Sequence, residues 1–336
     1  GGGKRALPGP LAAMYPPSFP DGSVNASVPV VQGQPVQGVA VAQPMEATTT
    51  IMPAEPTAAQ MAALTNFPAG LVKALMSSLE AFPVRFFVVD NSGSMQTADG
   101  NRLLVDAQGR AKMIRATRWE ELTDTVHQIG TLTTALSART DFHLLTPRPV
   151  GQHFSMANDG SSVVQTAGAP LDFPGLQRVM ATSPGGSTPL TESLLELISL
   201  IEPCADKLRA KGQQAVVILA TDGLPNDPPS FLAALQALQR LPVWTVVRLC
   251  TDDEGVVEYW AGLDAALEAP LEVLDDHAGE AKEVAAKNAW LTYGSPLQLA
   301  RTFGMHDRLF DLLDEQAGAA AAAAAHHSQS PTPRPP

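Results

Sequence analysis

A chain of 336 residues has room for one large domain or two small ones, and with 45% hydrophobic residues it can bury a sizeable core. No run of about 18 apolar residues is present, so no membrane span is expected. The formal charge of −12 argues against a surface that tracks nucleic-acid phosphates, and two cysteines, Cys204 and Cys250, are too few for a disulfide framework or a thiolate zinc site. Both cysteines lie in apolar surroundings and read as core thiols, which suits a reducing compartment; a cytoplasmic location is the expectation. The chain opens Gly-Gly-Gly-Lys-Arg without a Met, so the lack of a visible signal peptide counts for little.

Residues 1–66 are rich in Pro, Gly, Gln, Ala and Val, and Pro16-Pro17, Pro29, Pro35, Pro44, Pro53 and Pro56 interrupt every candidate element. A disordered tail is expected there, either merely solvated or carrying a partner-binding peptide. Asn25-Ala26-Ser27 fits a glycosylation sequon, a tripeptide that often arises by chance. A short helix over 70–81 places Leu71, Leu75, Met76 and Leu79 on one face, and Pro83 closes it.

Phe86-Phe87-Val88-Val89 follows, a continuous apolar run that reads as a strand buried on both faces of a parallel sheet. It runs into Asp90-Asn91-Ser92-Gly93-Ser94. An acid and two hydroxyls at i, i+2 and i+4 converge on one point if the loop curls at the strand's carboxyl end. That set is all oxygen, and it suits Mg²⁺, Ca²⁺ or Mn²⁺ better than zinc. Next, 102–105 and 111–116 read as a β-hairpin about a turn at 106–109, placed to form one wall of a cleft.

A helix over 118–136 turns Leu122, Val126, Ile129, Thr133 and Leu136 inward, and a second strand over 141–145 ends at Pro147. The polar section 151–168 offers only a possible strand at 162–165, and a short helix is expected over 176–180. Ser183-Pro184-Gly185-Gly186-Ser187-Thr188-Pro189 then enters an amphipathic helix over 190–201. The apolar strand 215–220 runs into Thr221-Asp222-Gly223. Helices over 230–239 and 254–267 flank a strand at 243–249, and a short strand at 271–274 is the last. Strands alternating with helices in this way specify a doubly wound, mostly parallel α/β sheet. Helical stretches over 279–289 and 297–313 close the domain, with Leu297, Ala300, Phe303, Phe310 and Leu313 forming a stripe that docks the last helix. The expected division is therefore a tail at 1–66, a domain at 67–315 with its C-terminal helical addition, and an Ala- and Pro-rich disordered tail at 316–336 that contains His326-His327.

The Asp-x-Ser-x-Ser run, Thr188 before a helix and Asp222-Gly223 after a buried strand resemble the three loops of the metal-ion-dependent adhesion site in von Willebrand factor A-type domains. The resemblance covers roughly residues 84–275 and implies a Rossmann-like sheet in which Asp90, Ser92, Ser94, Thr188 and Asp222 hold a divalent cation, foremost Mg²⁺. Five protein groups leave about one octahedral position open. The resemblance implies that a partner's Asp or Glu side chain fills it, in a protein-binding module that is not an enzyme.

Placement in the fold points the same way, because ligands of an open parallel sheet gather outside the carboxyl ends of its strands, where Asp90 and Asp222 fall. Alternatively, Ser92 and Ser94 only cap the loop and Asp222 caps a helix. Asn91 and Met95 flank the site as rim residues, and Asp227 reads as a turn residue. Asp252-Asp253-Glu254 and Asp275-Asp276-His277 read as solvated helix starts rather than a second cation site. His127, His143 and His153 show no ligand spacing, and Trp119, Trp244, Trp260 and Trp290 read as packing anchors. Two other functions stay open. One is a Mg²⁺-dependent hydrolase or phosphoryl-transfer enzyme, although no phosphate loop is present; the other is a scaffold whose Pro-rich tail binds partners while the domain supports it.

Overall fold

The computed structural model describes residues 64, 66–105, 111–251, 253–267 and 271–306. Strand β1 (Val84–Val89) lies at its centre, with every residue buried. Because successive side chains point to opposite faces, Val84, Phe86 and Val88 enter one apolar layer while Phe87 and Val89 enter the other. The same alternation in β7 (Ala215–Thr221) sends Val217 and Leu219 one way and Val216, Ile218 and Ala220 the other. Two-sided burial is what the unbroken apolar runs demand.

The other strands are β2 (Gly100–Val105), β3 (Ala111–Ala116), β4 (Thr140–Arg148), β5 (Gly151–Met156), β6 (Ala169–Pro170), β8 (Val243–Leu249) and β9 (Glu272–Leu274). Among the described residues they form a seven-stranded sheet in the order β6-β5-β4-β1-β7-β8-β9, with β2 and β3 apart as an antiparallel hairpin. From β4 through β1, β7 and β8 to β9 all pairings are parallel; β5 runs antiparallel to β4. The chain passes from β1 outward to β4 and later returns to the other side of β1 as β7. The order therefore reverses between β1 and β7, and a crevice opens at their carboxyl ends. The doubly wound, mostly parallel α/β architecture is as expected.

Helices α1 (Ala69–Ala81), α2 (Arg118–Leu136) and α3 (Phe173–Met180) pack with the Phe87 layer. Helices α4 (Leu190–Ile201), α5 (Ala205–Ala210), α6 (Pro228–Gln239) and α7 (Glu254–Ala266) cover the opposite face. Helix α2 opens on a capping box, in which the Thr117 hydroxyl accepts from the Glu120 amide and the Glu120 carboxylate accepts from the Thr117 amide. Among the described residues no helix is long and apolar enough to cross a membrane.

The C-terminal addition is part of the core. Helices α8 (His277–Lys287) and α9 (Ser295–Thr302) lie against it, and Leu299, Ala300 and Phe303 are buried. Arg85 donates to the Phe303 carbonyl at 3.0 Å, and its guanidinium sits 4.2 Å from the centre of the Phe303 ring. Gly304 adopts φ 84° with its Cβ position 2.2 Å from a Val216 methyl, a conformation and an approach that only glycine permits. Arg301 anchors the same segment through Glu272 and Glu280, each at 2.6 Å. Phe310 and Leu313 lie outside the described residues, as do the two terminal tails apart from Leu64 and Asn66. Leu64 itself is buried in the core.

The hairpin of β2 and β3 stands over α2. The Asn101 amide donates to Glu121 at 2.9 Å, and Arg102 grips Asp124 with two bonds of 2.6 and 2.8 Å. Its turn lies outside the described residues, while Leu103, Leu104 and Met113 face solvent.

Four expectations need correction. Strand β4 does not stop before Pro147 but runs on to Arg148; its pairing with β1 ends at Leu144 and its register with β5 shifts beyond His143, so no ladder hydrogen bond is required of Pro147. The strand in the polar section is β5 at Gly151–Met156 rather than at 162–165. Its apolar alternation is hidden because one face of β5 meets polar partners. Met95 is no rim residue, since the short turn Gly93–Gln96 drives it into the core. Trp119, Trp244 and Trp260 are buried as packing anchors, whereas Trp290 is 74% exposed.

Candidate metal centre

Strand β1 ends in the first loop and β7 in the third, and the ladder between them continues one step past the strand, where the Asp90 amide donates to the Ala220 carbonyl at 2.9 Å. This fixes the start of one loop against the other strand. Asp90 is buried, with one carboxylate oxygen accepting from the Ser92 amide at 2.9 Å and the other from the Thr221 hydroxyl at 2.7 Å. The Ser92 and Ser94 hydroxyls lie 2.9 Å apart, and Ser94 donates to an Asp222 oxygen at 2.9 Å. The Ser92 and Ser94 hydroxyls and Asp222 thus form one hydrogen-bonded run of oxygens across two loops, and the Ser92 amide ties Asp90 to it.

The second loop is bound to the first by its backbone. The Gly93 amide donates to the Gly186 carbonyl at 3.1 Å, and the Gly185 amide to the Asn91 carbonyl at 2.7 Å. Gly186 has φ 98°, and a Cβ there would lie 2.9 Å from a Thr146 methyl, so the close packing of this loop requires glycine. Thr188 is half-buried near the end of the loop and immediately precedes Pro189 and α4. Asn91 does shape the rim, from beneath: its side chain exchanges hydrogen bonds with the Thr146 backbone at 2.8 and 2.9 Å. Arg148 adds a clasp to the Asn91 and Gly185 carbonyls at 2.9 and 2.6 Å.

The electrostatics show what this arrangement lacks. Burial pushes the Asp90 carboxyl above the usual carboxylate range; hydrogen bonds from Ser92 and Thr221 pull it back, and the neighbouring Asp222 charge raises it further. A hard cation would reverse both unfavourable contributions. The donor set consists of carboxylate and hydroxyl oxygens, the chemistry that Mg²⁺, Mn²⁺ or Ca²⁺ takes, so these residues fit such an ion.

One group went unseen in the sequence. Arg118, the first residue of α2, donates to the second Asp222 oxygen at 2.9 Å and clasps Asp99 with bonds of 2.7 and 2.6 Å. Asp222 is therefore half engaged with Ser94 and half with a guanidinium. No sequence pattern marks this pairing, because Arg118 and Asp222 are 104 residues apart and meet only through the packing of α2 beside β1.

The remaining acids behave as helix and turn formers. Asp253 accepts from the Gly255 and Val256 amides, Asp276 caps α8 by accepting from Gly279, and Asp227 accepts from the Ser230 hydroxyl at the start of α6. Asp252 lies outside the described residues. The histidines are a different matter. His143 and His153, ten residues apart in sequence, are direct partners in the β4–β5 register, with ring centres 4.4 Å apart, and His153 lies 3.4 Å from Glu196 of α4. An antiparallel pair of strands brings together what sequence spacing does not show. Cys204 and Cys250 are free buried thiols, as expected.

No known protein family and no curated protein matches the sequence. Among solved structures, the chain is similar to a manganese-loaded TRAP protein of Plasmodium vivax at 15% identity and a TM-score of 0.35, over 60% of this chain and 71% of that one. It is also similar to the D319A mutant of the PilB minor pilin of Streptococcus sanguinis at 12% identity and a TM-score of 0.38, over 74% of this chain and 63% of that one.

Proposed function

We propose that the protein is a cation-dependent protein-binding module, in which Asp90, Ser92, Ser94, Thr188 and Asp222 hold a divalent ion that engages an acidic side chain of a partner. The observation that carries this reading is the convergence of two loops, where Asp90 accepts from the Ser92 amide and the Ser92 and Ser94 hydroxyls lead on to Asp222, at the crevice where strand order reverses. When bound, the cation supplies a positive centre with a vacant position that attracts a carboxylate. The chain's own residues do the rest. Thr221 and the Ser92 amide hold Asp90 in place, Asn91 and Arg148 brace the loop from below, and the two backbone bonds from Gly93 and Gly185 keep the Thr188 loop against it.

The site lies on the rim of the sheet, and Ser94 is exposed while Asp90 and Asp222 are buried beneath it. A surface hydroxyl over buried carboxylates suits docking of a protein side chain. The enzyme alternative gains little, because among the described residues the hydrogen-bond partners of the Ser92 and Ser94 hydroxyls are each other and Asp222, with no histidine or cysteine to act as a base.

The test is partner capture from native lysate by the full chain, with Mg²⁺ and with a chelator. Capture that depends on Mg²⁺ and disappears in Asp90→Ala, with the far-ultraviolet circular dichroism unchanged, is the expected result. Capture that survives both the chelator and the substitution, but is lost when residues 1–66 are deleted, would assign binding to the Pro-rich tail instead.

A further inference from the structure

On the face covered by α4, the sheet is apolar over β1, β7 and β8 but polar over β4 and β5. There Asp141, His143, His153 and Ser155 lie as two register pairs, Asp141 with Ser155 and His143 with His153. Most of this polar patch is fully satisfied. Arg139 forms two bonds to Asp141 at 3.2 and 2.8 Å and one to the Val164 carbonyl at 2.6 Å, and Ser155 donates to Asp141 at 2.5 Å. His143 stands out against this background. It is 1% exposed, and neither ring nitrogen has a hydrogen-bond partner among the described residues. Buried polar atoms in native interiors are seldom left without a partner, which sets His143 apart.

The groups around His143 indicate which partner. Its ring faces His153 on one side and the edge of Phe86 on another, and Glu196 reaches in from the second turn of α4. One ligating atom from each of His143, His153 and Glu196 lies within 4.8 Å of the others, and the His153–Glu196 distance is already 3.4 Å. Tetrahedral ligands at ~2.1 Å from a zinc ion lie about 3.4 Å apart. The His143 nitrogen therefore has to close by at most about 1.4 Å, within reach of a small ring rotation. A neutral imidazole is the form that ligates.

We propose that His143, His153 and Glu196 form a metal site for Zn²⁺ or a cation of similar borderline softness, in the body of the sheet and apart from the loop site. Two imidazoles and one carboxylate select such an ion over Mg²⁺ and leave a fourth position for water. His153 and Glu196 are partly exposed, which opens a path for the ion from solvent, while buried His143 closes the inner side. A bound ion would fasten α4 to the β4–β5 wing. This site stands whether or not the loop site binds Mg²⁺.

The test uses the full chain, stripped with a chelator, exchanged into chelator-free buffer with excess Mg²⁺, and titrated calorimetrically with Zn²⁺. The expected result is one zinc ion bound, with affinity weakened more than about 100-fold in His153→Gln and in Glu196→Gln. Both residues are partly exposed, so these variants keep the fold, which circular dichroism checks. Co²⁺ in place of Zn²⁺ should give the intense visible absorption of a tetrahedral site, absent in both variants. Binding should persist in Asp90→Ala and in the double variant His326→Ala, His327→Ala. The proposal is overturned by the absence of Zn²⁺ binding, by binding unchanged in both site variants, or by binding lost in either control.

Discussion

The rim where β1 and β7 end and the wing formed by β4 and β5 treat their polar side chains in opposite ways. At the rim, each acidic oxygen already has a partner in the protein: Thr221 and the Ser92 amide on Asp90, Ser94 and Arg118 on Asp222. On the wing, two imidazole nitrogens have none among the described residues. The rim is built on loops, whose hydroxyls and guanidinium meet the carboxylates directly. The wing is built on paired strands and a helix, where register and burial keep His143 away from solvent. Polar groups on loops can find partners within the protein, whereas polar groups on paired strands depend on what the register brings beside them.

The sharpest way to break this comparison is to remove one site at a time. Asp90→Ala should eliminate Mg²⁺ or Mn²⁺ affinity, a loss of more than about 100-fold, while zinc binding stays as in the parent; His153→Gln should do the reverse. Parallel calorimetric titrations of both variants measure this. If either substitution weakens both metals, the two regions are one coupled unit.

A smaller effect, of opposite sign, is expected from Arg118→Gln. Arg118 places a positive charge on the very carboxylate that a cation would use, so removing it should raise Mg²⁺ affinity about 10-fold. The same change leaves buried Asp222 without its counter-charge, so in chelator the protein should lose about 3 kcal/mol of stability in a urea titration. A fall in cation affinity would make Arg118 a support of the site and not a stand-in for the ion.

The smallest effect should come from Asp99→Asn. Hydrogen bonding to Arg118 holds the Asp99 carboxyl below its ordinary value of 3.8. Its stabilising contribution is therefore fully present above that value and lost as pH falls through the lower folded one. Asp99 is about a third exposed, so the variant should be less stable at pH 7 by less than about 1 kcal/mol. The gap between variant and parent should close under acid. A gap that widened on acidification would mean that Asp99 does not act through charge.

Much of the rim was legible in residue order. Phe86 to Val89 followed by Asp90, Ser92 and Ser94 states both a buried strand and what lies at its end, because apolar runs and loop chemistry are local. Thr188 rests on the resemblance alone, whereas Asp222 followed by the same logic at the end of β7. Arg118 did not, although the start of α2 is plain from Thr117 and Glu120; the partner of a long side chain depends on where its helix packs. Strand β5 was missed for a related reason. His153 and Ser155 look like loop residues until it is known that their face of the sheet is polar.

Residue order alone carried most of the strands and helices and the Asp90–Ser94 and Asp222 loop ends, since each of these is written within a few neighbouring residues. Packing between distant elements is what brings Arg118 to Asp222, sets Phe303, just past α9, over Arg85, and makes His143, His153 and Glu196 neighbours. Those contacts come from strand register and helix packing, which join residues far apart in the chain through the burial of entire faces, and no local pattern records which faces will meet.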